Sequence, residues 1–375
     1  MNIIVVIFAM LAMLAVMLGA NYYIFFRLWH LIPTFPASRI LLACIAVFLA
    51  VAPFLSMGFG DRFPYHVSSF MYHVGTSWMK MMIYLVFIFF VLDMMRIAGF
   101  LSLERYMFNS WAGFGALFLF FAVVMIAGNI NYRNIKRVEL NLMIDKETNP
   151  LKIVAISDLH LGYGIDTKEF RRWVELINRE EPDVVLMAGD IIDNSLKPLY
   201  DRNFADVFRE IKSKYGVFLA LGNHEYISNI EKSIEFFTKT DVTILRDTAV
   251  FVGNAFYVAG RDDRSSNPNR KTIAEIIDNV DNSKPIILID HQPFYFDEVE
   301  NNSIDLYIAG HTHKGQIFPI TLITRAMFEV SHGYLKRGNS HFYVTSGIGI
   351  WGGKFRIGSR SEYVVINLTW SDSAL

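Results

Sequence analysis

The stretch KIVAISDLH, residues 152–160, decides how this chain is read. Its first six residues form a short, β-rich, apolar run of the kind that makes a buried strand. Its last three put a carboxylate and an imidazole two residues apart where that strand ends. Working outward, the same arrangement recurs in order: Gly189-Asp190 after Asp183–Ala188, Gly222-Asn223-His224-Glu225 after Val217–Leu221, His291 after Ile286–Ile289, and Gly310-His311-Thr312-His313 after Leu306–Ala309. The clusters supply three carboxylates, one amide and five imidazoles. That is more ligand chemistry than one metal ion uses and about what two neighbouring ions need. Singly each cluster is weak, since Gly-Asp is an ordinary turn and a lone histidine is usually structural. Five of them in series at strand ends resist a purely structural explanation.

Around these clusters, strands alternate with helical patterns at Lys168–Arg179, Phe204–Lys214 and Ile230–Phe237, and further strands are expected at Val250–Val252, Phe256–Ala259, His341–Thr345 and Tyr363–Asn367. Continuous apolar runs imply strands covered on both faces, hence an α/β or α+β sandwich. In such sheets functional groups gather at the carboxyl ends of strands.

The N-terminal third is different. Only nine Asp, Glu, Lys or Arg lie in residues 1–130, against 62 in the remainder. Four apolar runs, about 3–26, 40–58, 79–100 and 111–130, are long enough to cross a bilayer, with aromatic residues at their edges. The expected organisation is an all-α membrane domain over 1–132, a linker and first strand over 133–150, and a catalytic domain over 151–375. Asp93 and Arg96 read as a self-neutralised pair on one helix face, and Gly113, Gly115 and Gly128 as close-packing positions. Arg133, Lys136 and Arg137 follow the last run, which favours a cytoplasmic catalytic domain. The partner expected from this half is a lipid bilayer. A net charge of −1 over 375 residues argues against a nucleic-acid binder, and nothing points to a specific protein partner. The single cysteine, Cys44, excludes a disulfide framework within the chain.

The series D-x-H, G-D, G-N-H-D/E, H, G-H-x-H resembles that of the calcineurin-like metallophosphoesterases over residues 151–369. Ser157–His160, the stretch GHTHKGQ from Gly310 and YVTSG from Tyr343 are similar to the membrane-associated bacterial branch typified by lipid-sugar pyrophosphatases. The resemblance implies a four-layer sandwich holding two divalent ions, Mn, Fe or Zn, in the bacterial plasma membrane. By position, Asp158, His160, His313 and a bridging Asp190 would hold one ion, and Asp190, Asn223, His291 and His311 the other. It also implies that a hydroxide shared by the ions attacks phosphorus while His224 protonates the leaving oxygen. Relatives in that branch usually have Gly where this chain has Lys314.

Outside the ligand set, Glu225 is expected to orient His224 or to cap a helix. Asp193 is expected to be a helix cap, and His332 and His341 structural. Lys314, Arg261 and Arg356 are candidate contacts to a phosphorylated small-molecule or lipid substrate. The leading expectation is a membrane-anchored phosphohydrolase. The rivals are a phosphodiesterase or phosphatase for soluble substrates, an inactive metallo-fold scaffold, and a transporter or sensor.

Overall fold

The computed structural model describes residues 3–99 and 104–370. The end of the third apolar run at Phe100, the first two residues and residues 371–375 lie outside the described residues. The chain divides into two compact units, Met1–Ala127 and Gly128–Leu375.

The first unit contains helices α1 (Ile3–Leu31), α2 (Pro36–Phe59), α3 (Tyr65–Ile97), the short α4 (Glu104–Met107) and most of α5 (Trp111–Arg133). Four of these are long and apolar enough to cross a membrane. Helix α3 begins well before the expected residue 79, because its polar first turns satisfy themselves: Ser68 Oγ donates to Gly60 O at 2.6 Å and Thr76 Oγ1 to Tyr72 O at 2.6 Å. The expected Asp93–Arg96 pair does not form. Asp93 instead pairs with Arg27 and accepts from Tyr23 Oη at 2.5 Å, while Arg96 turns to Glu104 at 2.8 Å. Spacing three apart permitted the pair, but α1 and α4 offered each group a partner of its own. Of the three glycines, Gly113 and Gly128 sit tightly against neighbouring backbone or side-chain atoms, and Gly115 faces open space.

The second unit is a sandwich of two six-stranded mixed sheets. The first sheet holds β1 (Lys136–Ile144), β2 (Leu151–Ile156), β3 (Val184–Ala188), β4 (Val217–Ala220), β5 (Val242–Leu245) and β12 (Glu362–Trp370), in the order β1-β12-β2-β3-β4-β5. The second holds β6 (Thr248–Val252), β7 (Phe256–Gly260), β8 (Ile286–Ile289), β9 (Leu306–Ala309), β10 (Gly333–Arg337) and β11 (Ser340–Val344), in the order β10-β11-β9-β8-β7-β6. Strands β2 to β5 are mutually parallel, as are β7, β8, β9 and β11. Parallel strands buried on both faces explain the unbroken apolar runs.

Alternation along each strand builds the layers. Val154, Ile156, Val185 and Met187 face outward onto Phe170, Trp173 and Ile177 of α6 (Thr167–Arg179) and onto the helices that follow. These are α7 (Lys197–Asp201), α8 (Phe204–Arg209), α9 (Asn223–Ile227) and α10 (Ile230–Phe237). Ile153, Leu186 and Phe218 face inward and meet Val258, Ile287 and Ile308 of the second sheet. The outer face of that sheet is covered by α11 (Ile273–Ile277) and α12 (Phe296–Asn301). Helix, sheet, sheet, helix is the four-layer sandwich expected. One further helix, α13 (Ile320–Met327), has no buried residue at all.

Candidate metal centre

The loops that leave the two sheets are bonded to one another, and that fixes the polar side chains. After β2, Asp158 N donates to Gly189 O at 3.0 Å, His160 N to Asp190 O at 3.1 Å and Leu161 N to Ile191 O at 2.9 Å, so the loops after β2 and β3 stay paired beyond the sheet. The buried carboxylate of Glu225 then clamps the second loop. It accepts from the backbone N–H groups of Gly222 at 2.7 Å, Asp190 at 3.1 Å, Ile191 at 2.8 Å and Ile192 at 2.9 Å. Glu225 therefore caps its own helix and positions Asp190, and it has no hydrogen bond to His224. From the second sheet, His311 N donates to both oxygens of Asp158 at 3.1 and 3.2 Å.

The approach of the loops requires glycine at two places. A Cβ at Gly222 would collide with Asp190, and one at Gly310 would lie 2.5 Å from both Asp158 Oδ2 and Ser157 Oγ. The polar residues themselves adopt left-handed backbone: φ is 54° at Asp158, 48° at His160, 53° at Asp190, 69° at His311 and 48° at His313. Each non-glycine residue there costs on the order of 1–2 kcal/mol, the kind of local strain that collects at functional sites.

Three groups of donor atoms result, each within 4.8 Å: Asp158, His160 and His313; His160, Asp190 and His224; Asp190, His291 and His311. His160 Nε2 and His313 Nε2 are 3.0 Å apart, His291 Nε2 and Asp190 Oδ2 3.1 Å, and His311 Nδ1 and His291 Nε2 3.2 Å. Asn223 Oδ1, His160 Nδ1 and His313 Nδ1 are buried without a hydrogen-bond partner. Buried polar atoms are normally satisfied, and Asn223 Oδ1 has no protein donor. Closely set imidazole, carboxylate and amide-oxygen donors are the ligand types divalent ions take, so the donor set fits such ions.

The electrostatics divide sharply. Burial raises the Asp158 carboxyl, with the nearby Asp190 charge adding to it. Burial would also raise Asp190, but the imidazoles of His291, His224 and His160 hold it well below the usual carboxylate range. His291 is pushed well above the normal imidazole value, because the Asp190 charge overcomes burial. Burial and the neighbouring imidazoles lower His311 to about 4 and hold His313 well below the usual imidazole value, leaving both neutral at pH 7 with lone pairs free to donate.

His224 stands beside this cluster. Its ring packs edge-on to His160 at 4.5 Å, and its Nδ1 lies 2.7 Å from Asp193 O. With the proton on Nδ1, Nε2 is left for the cleft. Burial opposes its charge, yet Asp190 and Asp193 raise its pKa above 6.5.

Asp193 corrects the sequence reading. It caps no helix, since α7 starts at Lys197 with Leu196 before it. Its buried carboxylate has no hydrogen bond and lies 3.5 Å from His160 Nδ1 and 3.6 Å from His224 Nδ1. Sequence reasoning had one signal for it, a second carboxylate three residues after Asp190 in a segment without helical periodicity.

Two of the candidate substrate contacts are committed to the fold. Arg261 is bound to Glu298 at 3.0 and 3.3 Å and to Lys271 O at 3.1 Å. Arg356 is fully buried and donates to the carbonyls of His313, Ser346 and Gly349. Both cations were legible as charges, but their carboxylate and carbonyl partners lie far off in sequence. Lys314 differs: it directly follows His313, is half-buried, and its ammonium has no hydrogen bond or ion pair among the described residues. The polar loop Arg264–Arg270 returns Arg270 to Asp290 at 3.1 Å, next to His291. His332 pairs with Glu362 at 3.1 Å and His341 with Met143 O at 3.0 Å, both structural.

Comparison with known proteins agrees with this geometry. Residues 151–315 match the calcineurin-like phosphoesterase family. An uncharacterized metallophosphoesterase of Aquifex aeolicus is 30% identical over 58% of this chain and 85% of its own length. One of Helicobacter pylori is 36% identical over 61% of this chain and 63% of its own. A zebrafish (Danio rerio) transmembrane protein with metallophosphoesterase domain is 30% identical over 66% of this chain and 60% of its own. The chain belongs to the calcineurin-like metallophosphoesterase family, as its motif series led one to expect. It spans about 63% of the length of the Helicobacter relative.

Proposed function

We infer that this chain is a membrane-anchored, binuclear metal-dependent phosphohydrolase acting on a phosphoester or pyrophosphate bond, with lipid-linked substrates the leading class. The observation that carries the reading is the set of donor atoms converging around Asp190, with Asn223 Oδ1 buried and without a hydrogen-bond partner. Asp158, His160, His313 and Asp190 would hold one divalent ion, and Asp190, Asn223, His291 and His311 the second. Such ions lower the pKa of water and neutralise phosphoryl charge.

The chain's own residues supply the rest. The Asp193 carbonyl and carboxylate hold the His224 ring and favour its protonated form, so Nε2 can deliver a proton to a leaving oxygen. Lys314, with no partner of its own, is suited to the substrate phosphate. Glu225 keeps Asp190 aimed inward. The basic residues after the last span support a catalytic unit on the cytoplasmic side of a bacterial plasma membrane, and four membrane-capable helices with few charges support an anchor rather than a transporter.

The test uses full-length protein in detergent, with metal content measured alongside hydrolysis of bis(p-nitrophenyl) phosphate, a monoester and a pyrophosphate. His224→Ala is expected to keep its metal and lose about 10²–10⁴-fold in turnover. Protein carrying two metal equivalents that cleaves none of the three would sink the enzyme reading in favour of a scaffold.

A further inference from the structure

Helix α13 is inside out for a protein surrounded by water. Phe318, Leu322, Ile323 and Met327 are between 50% and 67% exposed. Thr321 and Thr324 face the protein instead, and Thr324 Oγ1 spends its proton on carbonyls of its own helix at 3.1 and 3.3 Å. From His311 to Phe328 there is no carboxylate, while Lys314 and Arg325 are cationic. A large exposed apolar patch rimmed by cations marks an interaction surface.

The unit's own hydrogen bonds say where this patch lies. The last turns of α5, from Gly128 onward, are gripped by the loop before β12. Gly128 O accepts from Arg356 N at 3.0 Å, Asn129 Nδ2 donates to Lys354 O at 2.7 Å, and Asn131 Nδ2 donates to Ser359 O at 2.5 Å. The next residue of that loop, Ile357, accepts from Phe318 N at 2.7 Å, immediately before α13. The inverted helix is thus tied, one residue removed, to the end of an apolar helix of spanning length. Asn134 and Ile135 alone separate α5 from β1. Beside the same turn opens a polar cavity of about 570 Å³ whose rim includes Arg133, Lys168, Arg172 and Lys354. Two of its three carboxylates, Asp166 and Glu169, are engaged by the α6 backbone, Tyr132 and Lys354. Cations at that level suit anionic headgroups.

Helix α13 also borders the metal centre. It starts after His313–Gly315, and the Phe328 ring that follows it stands 6.2 Å from the His311 ring. We propose that α13 is an interfacial helix and that Phe318, just before it, enters the bilayer with its Leu322, Ile323 and Met327, so that the metal centre opens at headgroup level and takes its phosphorylated substrate from the membrane. Insertion rests on the reading of α5 as a membrane span, and its consequence for substrate rests on the proposed hydrolysis.

The test has two arms on the full-length, metal-loaded protein in phosphatidylcholine–phosphatidylglycerol vesicles. A spin label at Ile323→Cys, with Cys44→Ser, is expected to be accessible to oxygen and shielded from a water-soluble nickel chelate. Accessibility to the chelate would overturn insertion; so would shielding from both, which would mean that protein, such as a second copy, covers the helix. In the other arm, Leu322→Asp with Ile323→Asp is expected to slow hydrolysis of a vesicle-embedded lipid phosphodiester about tenfold. Metal content and the rate on bis(p-nitrophenyl) phosphate should stay unchanged. Equal loss on both substrates would overturn the substrate claim. Wild-type protein inactive on both substrates would count against the hydrolase reading, and the label would still decide insertion.

Discussion

The two sheets bring different chemistry to the centre. The loops after β2, β3 and β4 carry Asp158, His160, Asp190 and Asn223, two carboxylates with an amide and one imidazole. The loops after β8 and β9 offer only imidazoles as candidate ligands, His291, His311 and His313. The first side supplies negative charge and is braced by backbone bonds between its loops and by the buried Glu225. The second supplies donors that burial keeps neutral, save His291, whose proton answers the Asp190 charge. Neither side alone could hold two dications. Metal affinity should therefore report on the docking of one sheet against the other as much as on any single ligand.

Removing the charge that both sides share breaks this comparison most severely. Asp190 contacts His291 at 3.1 Å and lies in two of the three donor groups. Asp190→Asn is expected to lose metal and to slow diester hydrolysis by more than the roughly 100-fold that follows loss of a group supporting a ligand. Metal analysis and steady-state rates on the same preparation check it; retained metal with near-normal rates would deny Asp190 its shared role. Next in size is Gly310→Ala, where the backbone tolerates alanine but a methyl at 2.5 Å displaces Asp158. A cost of about 1–3 kcal/mol in thermal stability is expected from the overpacking. Metal affinity should fall with it, because the change pushes the second sheet's loop off the first sheet's carboxylate.

Much of this was open to sequence reasoning, for a physical reason. KIVAISDLH joins a strand signal to a ligand signal at one point, and β8 and β9 fell where continuous apolar runs placed them. What stayed hidden depended on partners distant in sequence. Asp193 reads as a cap until His160 and His224 are seen above it. Arg356 reads as a free cation until three carbonyls surround it, and Asp93 seems paired within its helix until Arg27 arrives from another. Helix α13 went unread because its apolar residues face outward, and an amphipathic pattern does not say which face meets solvent.

A smaller effect concerns a clasp between the sheets built on Glu362. Glu362 at the start of β12 accepts from Tyr343 Oη of β11 at 3.1 Å, from Ser346 N at 3.1 Å and from His332 at 3.1 Å. Burial pushes its pKa up, but the His332 bond and charge, with the other donors, hold it below the ordinary 4.5. A carboxylate with a depressed folded pKa stabilises above its unfolded pKa and loses that contribution as pH falls through the folded value. Glu362→Gln should therefore cost about 1–3 kcal/mol at neutral pH, and its thermal midpoint should converge on that of the wild type below pH 4.5. A constant gap across that range would mean that the charge contributes nothing.

The smallest expected change tests Lys314, a cation beside the imidazoles. Lys314 holds a left-handed backbone at φ 51°, a conformation glycine adopts freely. In Lys314→Gly, relief of that strain, on the order of 1 kcal/mol, opposes the extra entropy glycine has in the unfolded chain, on the order of 0.5–1 kcal/mol. Stability should barely move. If the unpaired ammonium meets the substrate phosphate, the loss appears as a KM raised about tenfold, with kcat and metal content unchanged, since a uniform binding contact is removed. An unchanged KM would deny Lys314 a contact with the substrate phosphate.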